Sequence, residues 1–247
     1  MKEPIVDFNM RRRVEPELLD VLGAEDPQAL RSRKDLRRIH RAMATLSIVQ
    51  RALDRGTAGF TPRTLLELGA GDSSLMLRLA QKQAACWPAI DVTLLDRLNL
   101  VEPQTLEAIR KLGWIPRVVT EDIFNWLEGH NDSRTDVIIA NLFMHHFSSN
   151  ELARLLAGIA ARSRVFLCCE PKRSALSLVG ARCVGLLGAG PVTRHDAVSS
   201  VHAGFRAQEL SELWPNPQDW VLHEYSAGLF SHCFLAIRKD SVNEHRL

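Results

Sequence analysis

From residue 64 to residue 238 the chain alternates short runs fit for buried strands with segments of helical period. The runs are Thr64 to Leu68, Val92 to Asp96, Arg117 to Thr120, Asp136 to Asn141 and Arg164 to Cys169. They are continuously apolar, as in strands covered on both faces, and the helices between them make successive strands parallel. Two further runs, Trp220 to Ser226 and Leu229 to Arg238, are separated only by Ala227-Gly228. That link is too short for a crossover, so this pair must be antiparallel. The expected fold is α/β: a doubly wound, mostly parallel, seven-stranded Rossmann-like sheet ending in an antiparallel hairpin.

Residues 1–60 carry a different pattern. Over Asp35 to Asp54, Leu36, Ile39, Met43, Leu46, Val49 and Leu53 recur at helical spacing with Arg and His between them. We expect an N-terminal helical extension or lid over 1–60 and a main domain over 61–247. Within the latter, an insert over about 174–215 lies between the fifth strand and the hairpin. Its Leu176, Leu178, Val179, Val184, Leu186 and Leu187 suit either a helix packed on the sheet or the wall of an apolar pocket.

Hydrophobic residues make up 46% of the 247, enough for a full core. The formal net charge of +2 gives no global field toward nucleic acid or an acidic membrane, and Arg11–Arg13 and Arg31–Arg41 read as solvated faces. The five cysteines (Cys86, Cys168, Cys169, Cys183, Cys233) lack paired metal-site spacing and sit mostly in apolar stretches, as reduced thiols of a cytoplasmic protein do. No secretory signal opens the chain. Its greasiest segment, Ala175 to Gly190, is too short to span a bilayer and contains Arg182.

In such a sheet, ligands bind beyond the carboxyl ends of the strands. The first of these ends reads Leu65-Leu66-Glu67-Leu68-Gly69-Ala70-Gly71-Asp72-Ser73-Ser74-Leu75. Gly69 and Gly71 permit a sharp turn and close approach of a ligand to the backbone, and a helix starting at Ser73 or Ser74 aims free N–H groups at it. A dinucleotide loop would have a third glycine where Ser74 stands. Glu67 would repel a pyrophosphate but suits a ligand with positive charge, such as a sulfonium bearing an α-amino group. Asp96, ending the second strand, can accept from both ribose hydroxyls, and Asp122 can accept from an exocyclic adenine amine. Each also has a structural alternative: the glycines as an ordinary turn, Asp96 and Asp122 as helix N-caps.

These motifs resemble class I S-adenosylmethionine-dependent methyltransferases of the small-molecule, bacterial secondary-metabolism type. The resemblance covers about residues 60–238. It rests on Glu67-Leu68-Gly69-Ala70-Gly71, Leu94-Leu95-Asp96, Thr120-Glu121-Asp122-Ile123-Phe124 and Ala140-Asn141-Leu142-Phe143-Met144-His145-His146-Phe147. It implies S-adenosyl-L-methionine as cofactor, with S-adenosyl-L-homocysteine as product. It implies the methionine part against Gly69, Ala70 and Gly71, a loop ordered by Glu67, the ribose on Asp96 beside Arg97, the adenine near Asp122 and Ile123, and the methionine amino group facing Asn141 and Leu142. The departure is Asp72-Ser73, where many members have a further glycine.

Methyl transfer from a sulfonium needs proximity and alignment, and a phenolic or enolic acceptor must also lose a proton. His145 and His146, after the fourth strand, and His195, in Thr193-Arg194-His195-Asp196, are the candidate bases; each also has a structural reading as a cap or core group. Adjacent histidines without a third ligand at a telling distance give no metal site. The expected acceptor is a small hydrophobic or aromatic molecule, methylated at the oxygen of a phenolic or polyketide-like metabolite. C-methylation, an NAD-dependent oxidoreductase and a non-catalytic cofactor-binding protein are the alternatives. Nucleic acid is disfavoured, because the basic runs come without clustered aromatics. The sequence fits a monomer or a homodimer.

Overall fold

The computed structural model describes residues 10–130 and 134–239. Residues 1–9 of the expected extension and 240–247 of the expected main domain lie outside the described residues.

The seven strands are β1 (Thr64–Leu68), β2 (Asp91–Asp96), β3 (Ile115–Thr120), β4 (Thr135–Asn141), β5 (Ser163–Pro171), β6 (Trp220–Ala227) and β7 (Ser231–Arg238). They are ordered β3-β2-β1-β4-β5-β7-β6. The first five are parallel, and β7 runs antiparallel to both neighbours. The expected Rossmann-like sheet and its hairpin are present. The hairpin turn falls at residues 228–230, because Ala227 pairs with Ser231 and Gly228, at φ +69°, supplies the left-handed conformation the turn needs.

The helices are α1 (Leu18–Val21), α2 (Pro27–Ala42), α3 (Thr45–Gly56), α4 (Ser74–Gln83), α5 (Pro103–Lys111), α6 (Ile123–Gly129), α7 (Ser149–Arg162), α8 (Ala175–Cys183), α9 (Pro191–Ala203) and α10 (Glu209–Leu213). Side chains alternate between two cores along each central strand. Val137 and Ile139 of β4, with Val165 and Leu167 of β5, face the core shared with α3 and α4. Ile138 and Ala140, with Phe166 and Cys168, face the core shared with α6 and α7. This two-sided burial is why the strands read as unbroken apolar runs.

The helical pattern of 35–54 is not one helix. It breaks at Met43-Ala44, where Ala44 sits at φ +54°. The two halves serve different partners: α3 buries Leu46, Val49 and Leu53 in the first core, whereas α2 packs on α9. One straight helix cannot face both. Asp26 caps α2 by accepting from the Gln28 and Ala29 N–H groups, with Pro27 at the first helical position. The insert becomes α8, a 3₁₀ turn over Val184–Leu187, and α9. Among the described residues no helix is long and apolar enough to cross a membrane.

Candidate active site

The strand order reverses between β1 and β4, where the two crossovers leave a crevice at the carboxyl ends. A cavity of about 840 Å³ opens there. Its floor is the loop after β1. Gly69 adopts φ +65°, and a Cβ on it would lie 2.4 Å from Cδ2 of Phe143, so no side chain fits. Gly71, at φ +53°, has open space where a Cβ would be. The Ala70 N–H donates to the Leu95 carbonyl (3.1 Å) and the Gly71 N–H to Asp96 Oδ2 (2.8 Å). Asp96, rather than Glu67, is thus the carboxylate that orders the loop.

Asp72-Ser73, where the family pattern would have a glycine, settles into a defined turn. Ser73 takes φ +55°, and Asp72 Oδ1 accepts from the Ser74 N–H at the start of α4 (3.0 Å). The other oxygen, Oδ2, accepts from Arg37 Nη1 on α2 (2.6 Å), which fastens the N-terminal helices to the loop. Burial works to raise the Asp72 pKa, but these hydrogen bonds and the Arg37 charge outweigh it and hold the carboxyl below its ordinary value.

Glu67 is almost wholly buried, and its Oε2 has no hydrogen-bond partner. Burial, with Asp72 and Asp96 adding repulsion, pushes its pKa well above the usual carboxylate range. Asn141, at the end of β4, likewise buries an unpartnered Oδ1, and both residues line the cavity. An unpaired buried acceptor costs about 1–3 kcal/mol. Two of them in one cavity fit a ligand that brings N–H donors and positive charge. A pyrophosphate does not fit here, among Glu67, Asp72 and Asp96.

After Asn141 the chain turns sharply: Leu142 takes φ +52° and donates its N–H to the Cys169 carbonyl (2.9 Å). A fully buried carboxylate, Glu170 at the end of β5, gathers this turn. It accepts from the N–H groups of Phe143 (3.1 Å) and Met144 (3.0 Å) and from His145 Nδ1 (2.7 Å). On the other side His145 Nε2 faces Glu17 Oε1 at 3.3 Å. Burial alone would lower the His145 pKa; the two carboxylates overcome it and push it up to about 9. At neutral pH His145 is an imidazolium held between two carboxylates, and it has no lone pair with which to act as a base.

His146 is different. It is half-buried, lines the cavity, and its Nδ1 lies 3.1 Å from Asp20 Oδ2. An ionised carboxylate only accepts, so Nδ1 carries a proton in this contact, and Nε2 is the ring nitrogen the contact leaves open. Burial works to raise the Asp20 pKa, but its interactions with His146 outweigh it, so Asp20 stays ionised.

Glu17 and Asp20 arrive from the segment before α2, which crosses the carboxyl end of the sheet. Arg12 donates to the carbonyls of Ala203 (2.8 Å), His145 (3.2 Å) and Phe147 (2.9 Å). Asp196 of α9 accepts from the N–H groups of Leu18 (2.8 Å) and Leu19 (2.9 Å). Glu17 also accepts from Ser200 Oγ.

The structure gathers Glu67, Gly69, Ala70, Gly71, Asp96, Arg97, Asn141, Leu142, His145 and His146 around this one cavity. Three expected site residues lie outside its lining. Asp122 caps α6, its Oδ1 accepting from the Phe124 N–H at 2.8 Å, and Ile123 is buried in the second core. His195 is half-exposed on α9 with Nδ1 3.0 Å from Asp196 Oδ1, so its sequence neighbour orients it. The aromatics around the turn after β4 and the insert divide between packing and the cavity. Phe143 covers Gly69, Phe147 packs edge-on to it, Phe205 is core, and the aromatic side chain on the cavity is Phe230. From the insert, Val184, Leu186 and Leu187 line the cavity.

Sequence reasoning missed Glu17, Asp20 and Glu170. Glu170 left a signal, an acid closing an otherwise apolar strand one residue beyond the Asn141–Cys169 pair. Glu17 and Asp20 left none, being more than 120 residues from the histidines they meet. Glu17 also supplies a third potential ligand atom, within 4.8 Å of those of His145 and His146, so the histidines are not without one. A cation there would have to displace the proton that Glu17 and Glu170 hold on His145.

No protein-family model matches the sequence, and no curated protein does. Solved structures share its fold. The plantazolicin methyltransferase BpumL in complex with SAH superposes with a TM-score of 0.62 at 16% identity, over 87% of this chain and 92% of that one. An O-methyltransferase family protein from Burkholderia thailandensis gives 0.57 at 15% identity, over 87% of this chain and 61% of that one.

Proposed function

We propose that the chain is an S-adenosylmethionine-dependent methyltransferase that transfers the methyl group to the oxygen of a small, hydrophobic, phenolic or polyketide-like acceptor. The observation that carries this is the pairing, in one cavity, of two unpartnered buried acceptors, Glu67 Oε2 and Asn141 Oδ1, with a histidine–carboxylate pair, His146–Asp20. The fold shared with methyltransferases supports it. S-adenosylmethionine, when bound, supplies a methyl group on a cationic sulfur that leaves without acid assistance.

The protein's residues do the rest. Glu67 and Asn141 face the positive end of the donor, and the glycine loop admits it without a Cβ in the way. Asp96 uses one lone pair of each oxygen, on the Gly71 and Leu98 N–H groups, and retains others for ribose hydroxyls. Glu170 fixes the 142–146 turn, so the His146 ring is presented to the cavity from a rigid support. His146, with Asp20 holding its Nδ1 proton, takes the acceptor hydroxyl proton at Nε2. The apolar wall from the insert excludes water and selects a hydrophobic acceptor.

Calorimetric titration with S-adenosylhomocysteine and, separately, with NAD tests the reading. Binding of the first and not the second is expected; binding of NAD alone would overturn it.

A further inference from the structure

Among the described residues, every exposed large apolar side chain except Ile115 belongs to residues 14–30, the loop after β2, the insert or the β6–β7 turn. All of these border the carboxyl end of the sheet, where the cavity opens. The most prominent is Leu186, 87% exposed at the tip of the 3₁₀ turn, with Leu187 beside it; both also line the cavity. Val21, Leu176, Val179 and Leu229 are more than half exposed. Scattered exposed leucines need no explanation, but a set confined to one end of the molecule does.

The charge is as unevenly placed. Helix α2 holds Arg31, Arg33, Lys34, Arg37, Arg38 and Arg41 against a single acid of its own, the buried Asp35, which pairs with Arg38, while Arg37 pairs with Asp72. Of these, Arg31, Lys34, Arg38 and Arg41 are exposed and spaced three and four apart, so they form one basic stripe. The stripe adjoins the apolar tip: Arg38 Nη2 donates to the Gly188 carbonyl at 3.4 Å, and Arg31 packs against Gly190. The whole-chain balance of +2 conceals this local field.

An apolar tip beside a basic stripe is what a protein lying on an anionic bilayer presents: leucines enter the acyl boundary while Lys and Arg meet lipid headgroups. We propose that this end of the molecule docks on an anionic lipid surface, with the cavity mouth turned toward the bilayer and Leu186 and Leu187 inserted. The docking itself does not depend on the methyltransferase reading. Its purpose rests on it: a hydrophobic acceptor would pass from the bilayer into the cavity without crossing water.

Co-sedimentation of the full chain with vesicles tests this. We expect pelleting with phosphatidylcholine vesicles that contain phosphatidylglycerol and little with phosphatidylcholine alone, with binding falling as salt is raised. L186D/L187D and K34E/R41E should each weaken partitioning by about tenfold or more. The charge variant should keep wild-type affinity for S-adenosylhomocysteine, since neither residue lines the cavity. No pelleting, equal pelleting with phosphatidylcholine alone, or pelleting that survives L186D/L187D would overturn the proposal. So would retention on RNA or an acidic protein without vesicle binding. Because the vesicle assay contains no donor, its failure is distinct from a failure of the titration described above.

Discussion

The imidazolium of His145 can be tested through its effect on stability. In the unfolded chain a histidine titrates near its ordinary 6.5, whereas in the folded protein His145 titrates at about 9. A raised pKa stabilises the fold at pH values below the unfolded value, and the stabilisation is lost as pH rises through the folded one. The difference corresponds to roughly 3 kcal/mol at full strength. From pH 6.5 to about pH 8 the expected loss is roughly 1.5 kcal/mol, because the unfolded chain releases a proton that the folded one still holds. Above that window the buried thiols of Cys168, Cys169 and Cys233, whose pKa values burial also raises, add a loss of the same sign. The comparison must therefore be made within the window and against His145→Gln, in which the thiol contribution is unchanged and cancels. Urea unfolding at several pH values gives the slopes. Wild type should lose roughly 1.5 kcal/mol more than the variant across the window. Parallel slopes would refute the charged His145 between Glu17 and Glu170, and with it the reason for assigning the base to His146.

Four further outcomes are expected. His146→Ala should slow single-turnover methylation of a phenolic acceptor by about 10²–10⁴-fold while leaving S-adenosylhomocysteine affinity near wild type; full activity would leave positioning alone as the mechanism. Asp96→Ala should weaken S-adenosylhomocysteine binding by about 1–3 kcal/mol in calorimetry, since it releases the Gly71 N–H and leaves the ribose unpaired. Gly69→Ala should destabilise the fold by about 1–3 kcal/mol through the clash with Phe143 and the positive φ, with part of the loss recovered in Gly69→Ala/Phe143→Ala, as thermal unfolding would report. Burial, with Asp72 and Asp96, disfavours charge on Glu67, and a cationic donor should favour it. Calorimetry of S-adenosylmethionine binding in buffers of different ionisation enthalpy should show a released proton that Glu67→Gln abolishes.

The side of the cavity formed by the loop after β1 was legible because it is built locally. Thr64 to Gly71 is one strand and one turn, and Asp96 and Asn141 sit at strand ends whose place follows from the parallel order. The side formed by the turn after β4 was legible only as far as His145 and His146. Their roles depend on Glu17, Asp20 and Glu170, and no spacing in the chain reports that residues 17 and 20 cross the sheet to meet residues 145 and 146. The break at Ala44 was hidden for a related reason: α2 and α3 share an apolar period, and only packing shows that one faces α9 and the other the sheet. At His195 the role of the neighbouring acid depends on conformation, which the four residues alone do not fix. Neighbouring side chains diverge in an extended strand, but the segment is helical and Asp196 reaches the ring.

The acids of the cavity divide by what their surroundings do to their charge. Asp72 is kept ionised by Arg37 and spends that charge on holding the N-terminal helices to the loop. Asp96 spends lone pairs on the Gly71 and Leu98 N–H groups. Glu17 is held ionised by His145 and Ser200 against the cost of burial. Asp20 is held ionised by His146. Of these five acids Glu67 alone has neither a cation nor a hydrogen-bond donor beside it, so it is the one whose charge a cationic ligand would favour. A ligand that brings positive charge to this end of the cavity gives it reason to ionise.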